Sequence, residues 1–353
     1  MSQLTTNNVK IVGVSACVPK TIEENLELPL YDEKEEILKI IDSTGIHRHR
    51  IVDIGTTASD LSVKAAQQVV GDLGWSIESV DLLLYCCTTR DYIQPMTSPT
   101  IQDRLGMRQD SYVMDLPLGC AGWVYGMSVA TALMSSGTLK RGLLICSETN
   151  TQSHNLNDRT SRPLFGDAAT VTALEFNTEE HHPMNFVFGV DGSGAGAIMA
   201  KYGGFRNPVT PESLEEREIE PGVFRRGTDI VLNGMDVFSF AIRRPPKSLQ
   251  ELISLFQIDV DGIDYLFLHQ ANKYIDDRIR KSLHFPEERT PYCLEDFGNV
   301  SGASIPLTMV TRTAREIGER ETHCLACGFG VGLSWASMEF YMNRIMVSEL
   351  VEF

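Results

Sequence analysis

The 353-residue chain has no apolar run near the ~20 residues that a membrane-spanning helix needs, so no membrane span is expected. Its first residues, Met1 to Asn8, have neither a basic start nor an apolar core, which argues against a secretory signal. Positive charge is scarce. Against 47 Asp and Glu stand 31 Lys and Arg, and the formal net charge of −16 disfavours nucleic acid or an anionic membrane as a general partner. A local basic patch stays compatible with that balance. The eight cysteines lack the spacing of a disulfide framework, which suits free thiols in a reducing cytoplasm. Cys324-Leu325-Ala326-Cys327 has no second pair to complete a zinc site, and no metal is expected. Gly192 to Gly196 looks like a phosphate-binding glycine run, but no suitable helix follows, and it reads as a turn.

With 42% hydrophobic and 22% charged residues, the composition is that of an ordinary globular protein, long enough for two domains or one double-sized unit. The first half alternates strand-like and helix-like stretches: Val9 to Val18, Val80 to Cys87, Ser111 to Leu116, Arg141 to Ser147 and Thr170 to Glu175 as strands, and Ala58 to Leu73, Thr97 to Leu105 and Ala121 to Ser135 as helices. Such alternation predicts a mostly parallel, helix-covered sheet. Asp32 to Asp42 reads as a surface helix. The His47-Arg48-His49-Arg50 run after it reads as a solvated loop or a contact for an anion. Asn177 to Pro183, including His181 and His182, is a polar junction. Beyond it the scheme repeats, with strands at Phe186 to Val190, Tyr265 to Leu268, Thr322 to Ala326 and Gly332 to Phe340. Helices are expected at Leu232 to Phe256 (interrupted near Pro245-Pro246), Ala271 to Leu283 and Ser301 to Ile317. Two halves, 1–177 and 178–353, therefore read as a duplicated α/β unit.

Three positions invite chemistry. Cys120 falls where a strand hands over to a helix, so its sulfur lies near a helix N-terminus, which favours a thiolate. It is either a nucleophile or a buried structural cysteine. His269 ends the apolar strand Tyr265 to Leu268, at the strand end where open α/β sheets bind ligands, and is either catalytic or a hydrogen-bonded structural histidine. Asn299, in Gly298-Asn299-Val300-Ser301, is either a site residue or, like Ser301, a cap for the helix that follows. Gly328-Phe329-Gly330-Val331-Gly332 is either a plain turn or a loop that brings a backbone N–H to a substrate oxygen.

Cys120, His269-Gln270-Ala271-Asn272, Gly298-Asn299-x-Ser301 and the closing glycine loop, in that order, resemble the β-ketoacyl-acyl-carrier-protein synthase III family of the thiolase superfamily. The likeness extends from Val9 to Trp335 and includes Thr44-Gly45-Ile46-x-x-x-Arg50, Phe165-Gly166-Asp167-Ala168-Ala169 and Asp191-Gly192-Ser193. It implies a five-layered α-β-α-β-α thiolase-like fold of two similar halves, working as a homodimer in the cytoplasm. It implies Cys120, His269 and Asn299 as catalytic residues, with the N–H groups of Cys120 and Val331 as the oxyanion hole. The implied reaction loads an acyl group from acyl-CoA or an acyl-carrier protein onto Cys120 and condenses it with a malonyl-carrier-protein, with thioesters as substrates and no cofactor. Arg159 matches a CoA-contacting position, and Gly234 and Asn272 match the pantetheine channel. Lys39 stands where an aromatic residue is expected, Gln94 where an apolar one is, and Tyr274 where a basic one is. Lys273, Arg278, Arg280 and Lys281 nonetheless form a basic cluster that would steer an acidic carrier protein. Two alternatives are an acyltransferase that does not condense and a non-catalytic partner subunit.

Overall fold

Strands buried on both faces build two sheets in the computed structural model, which describes residues 2–353. The first runs, in spatial order, Met346–Val347, Val9–Val18, Asp167–Phe176, Arg141–Thr149, Leu82–Cys86 and Tyr112–Leu116, with Val351–Glu352 also pairing along Val9–Val18. The second runs Ser2–Thr6, Met184–Val190, Ser334–Asn343, Glu321–Gly330 and Tyr265–Leu268. Side chains alternate between faces with a period of two. In the first sheet Leu144 and Cys146 face one core while Leu143 and Ile145 face another, and Leu82 and Leu84 divide from Leu83 and Tyr85 in the same way.

Three cores thus separate five layers. Helices Ala58–Asp72 and Thr97–Leu105 cover the outside of the first sheet, and Arg244–Phe256 and Lys273–Ser282 cover the outside of the second. Between the sheets lie Gly122–Met134 and Ser304–Arg312. A helix that is apolar all round has to be buried, and Gly122–Met134 buries Trp123, Val124, Met127 and Ala130 in the middle core. This is the five-layered arrangement expected from the resemblance, and it brings the ends of both central helices to one place.

The structure also departs from the sequence reading. The first sheet is mixed: Leu82–Cys86 pairs in parallel with both of its neighbours, but Asp167–Phe176 runs antiparallel to both of its own. In the second only Tyr265–Leu268 pairs in parallel; the short return from Gly330 to Ser334 forces an antiparallel neighbour. The two halves exchange their ends. Ser2–Thr6 lies in the second sheet, and Met346–Val347 and Val351–Glu352 lie in the first. The helix expected over 232–256 is two, Gly234–Ala241 and Arg244–Phe256, with Pro245 and Pro246 in the opening turn of the second, where a missing N–H costs nothing. The Arg48–Arg50 segment is a strand rather than a loop, and His49 is fully buried against Glu23, with Nε2 to Oε2 at 3.1 Å. His182 stacks on Tyr341 with ring centroids 3.9 Å apart rather than being merely solvated. Cys324 and Cys327 point into different cores, as a spacing of three along a strand dictates, so they do not converge on one ion. The stretch 198–232, which the sequence reading left without elements, forms short strand pairs, Ile198–Ala200 with Ile230–Leu232 and Arg217–Glu220 with Val223–Arg225.

Candidate active site

Four loops converge where the central helices begin, and they meet closely because they are rich in glycine. A Cβ on Gly330 would stand 2.6 Å from Cys120 Cβ and 2.7 Å from its sulfur. One on Gly302 would stand 2.9 Å from the Gly119 carbonyl, and one on Gly328 2.8 Å from Ala121 Cα. Gly330 also has φ of +157°, in the region that favours glycine. The result is a cavity of about 650 Å³ whose walls include Cys120, His269, Asn299 and Val331.

Cys120 is half-buried at the turn between Tyr112–Leu116 and Gly122–Met134. The backbone N–H of Val331 and that of Cys120 itself reach the sulfur, and the Ser301 hydroxyl donates to it at 3.7 Å. All three favour the thiolate. Burial nevertheless outweighs them, and with the charge of Glu148 nearby it pushes the thiol up from its ordinary value. The helix-terminus argument therefore gave the right position but the wrong resting state: Cys120 waits as a thiol.

His269 follows the strand Tyr265–Leu268, its N–H donating to the Cys327 carbonyl at 2.8 Å. Its Nδ1 lies 3.2 Å from the Ser301 carbonyl and 3.0 Å from Ser304 Oγ, and its ring stands edge-on to Phe329. Burial lowers its pKa to about 4, so it is a neutral imidazole at physiological pH. Asn299 is fixed by its backbone. Its N–H donates to the Leu164 carbonyl at 2.8 Å, and its own carbonyl accepts from Gly166 at 3.2 Å. Its Oδ1 accepts from the Ser301 N–H at 2.9 Å, which leaves the amide nitrogen as the free donor.

Ser301 is the residue whose part the sequence reading missed. Beyond a helix cap and a place in the Gly298-Asn299-x-Ser301 motif, it touches Cys120, His269 and Asn299, and it does so in a left-handed conformation, φ +53°. A serine two residues beyond Asn299 was visible in the sequence. Its positive φ was not.

The other expected positions divide. Gly234 and Asn272 line the cavity, although the Asn272 side chain is engaged in capping Lys273–Ser282 through Ile275 N–H at 2.8 Å. Arg159 stands outside the lining, bound to Glu36 at 2.7 Å and packed over the Tyr31 ring. Of the basic cluster, Lys273, Arg278 and Lys281 are exposed. Arg280 is a correction: it is buried and held by Asp277 at 2.9 Å, Glu287 at 3.2 Å and the Phe285 carbonyl, so it ties its helix down rather than greeting a partner. Lys281 leans on Asp277 at 3.8 Å.

A cysteine, a neutral histidine and an asparagine amide around one cavity, with backbone N–H groups aimed at the sulfur, define an enzyme that moves acyl groups through a cysteine. Residues 114–192 match the family described as 3-oxoacyl-[acyl-carrier-protein] synthase III, and residues 255–342 match its C-terminal family. The chain is 31% identical to the β-ketoacyl-[acyl-carrier-protein] synthase III of Streptococcus agalactiae, over 93% of this chain and 98% of that one. It is 29% identical to the Lactococcus lactis protein of the same name, over 93% and 97%. A 3-oxoacyl-(acyl-carrier protein) synthase from Burkholderia xenovorans superposes with a TM-score of 0.93 at 30% identity, covering 100% of this chain and 99% of that one. The priming β-ketosynthase of the R1128 polyketide pathway superposes with a TM-score of 0.81 at 25% identity, covering 96% and 97%. The chain belongs to the β-ketoacyl-acyl-carrier-protein synthase III family, and it is a condensing enzyme that initiates fatty-acid or polyketide synthesis. The transfer-only and non-catalytic alternatives are not favoured. No helix in residues 2–353 is long and apolar enough to cross a membrane.

Proposed function

We propose that the chain joins an acyl thioester to a malonyl thioester through an acyl-Cys120 intermediate, with His269 and Asn299 directing the second step. The observation that carries this reading is the convergence of Cys120, His269 and Asn299 on Ser301. In loading, the Cys120 sulfur forms a bond to the acyl carbon while the donor's carbon–sulfur bond breaks. The thiol proton passes through neutral His269 to the departing thiolate, and the N–H groups of Cys120 and Val331 hold the oxyanion. In condensation, His269 and the Asn299 amide donate to the malonyl thioester oxygen. The malonyl group loses carbon dioxide, the resulting enolate carbon attacks the acyl carbon, and the carbon–sulfur bond to Cys120 breaks to give a thiolate that takes its proton from solvent. Atoms balance without a metal or a redox cofactor; CoA and carrier-protein thioesters are substrates.

The two steps ask different things of His269, and Ser304 suits both. With the proton on Nδ1, the ring donates to the Ser301 carbonyl and Nε2 is a base. The Ser304 hydroxyl donates to the Ser301 carbonyl at 2.6 Å; if it gives up that bond and turns to Nδ1, Nε2 carries the proton and donates. The donor enters past Arg159, which meets a CoA nucleotide only if it exchanges Glu36 for a phosphate. An acyl-carrier protein makes no such demand. Gly234 and Asn272 border the path of the pantetheine arm. Eight unpaired thiols suit a reducing cytoplasm.

The expected outcome for Asn299→Ala is a loss of condensation of about a hundredfold, equivalent to ~3 kcal/mol for one oxyanion donor, with acyl loading of Cys120 spared. Separate assays of loading and product formation test it, and an equal loss of both steps contradicts the role. With Arg280 occupied, Lys273, Arg278 and Lys281 are left to draw in a malonyl-carrier protein. The pair Lys273→Glu with Arg278→Glu should raise the KM for carrier-bound malonyl groups and leave free malonyl-CoA turnover unchanged; an unchanged carrier KM dismisses the patch. A homodimer would cover the edge strand Tyr112–Leu116 and the exposed Tyr92, Ile93 and Met96 nearby in the chain. Light scattering should then give twice the 39.3 kDa chain mass, and the mass of a single chain refutes the dimer.

A further inference from the structure

The walls of the Cys120 cavity carry three polar groups that nothing in the protein satisfies. Asn150, His154 and Ser161 are 5%, 9% and 3% exposed, and all three line this cavity. Asn150 Nδ2, His154 Nε2 and Ser161 Oγ are each buried without a hydrogen-bond partner. Buried polar groups in native proteins are nearly always paired, so three orphans in one wall call for an occupant. They are also held in place. His154 Nδ1 lies 2.7 Å from the Asn150 carbonyl, which can only accept, so Nδ1 carries the ring proton and Nε2 is a bare acceptor. The ring stacks on Phe165 with centroids 4.1 Å apart, and Phe165 forms a bridge with Asn299, which links this wall to the reacting centre.

The three groups have a defined sense. Asn150 Nδ2 donates, His154 Nε2 accepts and Ser161 Oγ does either. A saturated acyl chain would leave all of them unpaired. A carboxylate would oppose the His154 lone pair, and an ammonium group would have nothing to offer Asn150. A hydroxyl group both accepts from an amide and donates to an imidazole. We propose that the cavity selects an acyl group bearing a hydroxyl on its chain, held by Asn150 and His154 with Ser161 beside them. His154 and Ser161 also line a second cavity of about 570 Å³, so they belong to the wall between the two. This inference rests on the reading that Cys120 accepts the acyl group, and it names the class of acyl group.

The test compares pantetheine thioesters of equal chain length: butyryl, 3-hydroxybutyryl and 4-hydroxybutyryl. The rate of Cys120 acylation is followed by intact-protein mass. One hydroxylated chain should load with a kcat/KM at least about tenfold above butyryl, because a site built to pair a hydroxyl rejects the analogue that lacks it. Asn150→Leu and His154→Phe should each narrow or reverse that ratio. Butyryl loading as fast as both hydroxylated chains in the wild type overturns the proposal, whatever the variants do. If no thioester acylates Cys120, the proposed function fails first. Calorimetry on Cys120→Ala then decides the wall: tighter binding of a hydroxylated chain than of butyryl supports it, and equal or undetectable binding overturns it.

Discussion

Ser301 is the point on which the site is hung. Its hydroxyl donates to the Cys120 sulfur, its N–H to the Asn299 amide oxygen, and its carbonyl faces His269 Nδ1. One residue can serve three directions only if the backbone turns sharply, and its φ of +53° is that turn. A side chain other than glycine in this conformation costs of order 1–3 kcal/mol, which the surrounding fold must supply. It is supplied by contacts already fixed on either side: Asn299 is clamped to Leu164 and Gly166, and Ser304–Arg312 is locked into the middle core. The layered architecture thus bears on the chemistry by over-determining a three-residue turn.

Desolvation sets the charge state of what that turn holds. Burial raises the Cys120 thiol and lowers His269 to about 4, so both are neutral at rest rather than a thiolate–imidazolium pair. Asn299 and Phe329, which share the cavity wall with them, are uncharged as well. None of Cys120, His269 and Asn299 offers a positive charge to an incoming carboxylate. The site offers hydrogen bonds to the thioester oxygen, where negative charge appears when carbon dioxide leaves, and this places the stabilisation on the transition state rather than on the bound substrate.

Much of this was legible in the chain. Apolar runs such as Val9–Val18 and Val80 to Cys87 read as strands because both faces are in fact covered, whereas the burial of the apolar Gly122–Met134 helix between the sheets shows only in the fold. Cys120, His269 and Asn299 stood out because strand ends and helix starts leave a mark in sequence. What was hidden depends on distance or sign. Arg280 has the same local pattern as Arg278, and only the fold brings Glu287 and the Phe285 carbonyl onto it. Arg159 looks free until Glu36 meets it from 123 residues away. The helix dipole at Cys120 is a local rule, whereas the burial that outweighs it belongs to the whole site. The strands paired within 198–232 are only three or four residues long, and periodicity has little to act on there.

The central claim is that Cys120 carries the acyl group. Its most direct test is the intact mass of the protein after exposure to a panel of acyl-CoA and acyl-carrier-protein donors, with Cys120→Ala as the control. The account predicts a gain of one acyl group in the wild type and none in the variant. An unchanged wild-type mass with every donor, or an equal gain in Cys120→Ala, would contradict it.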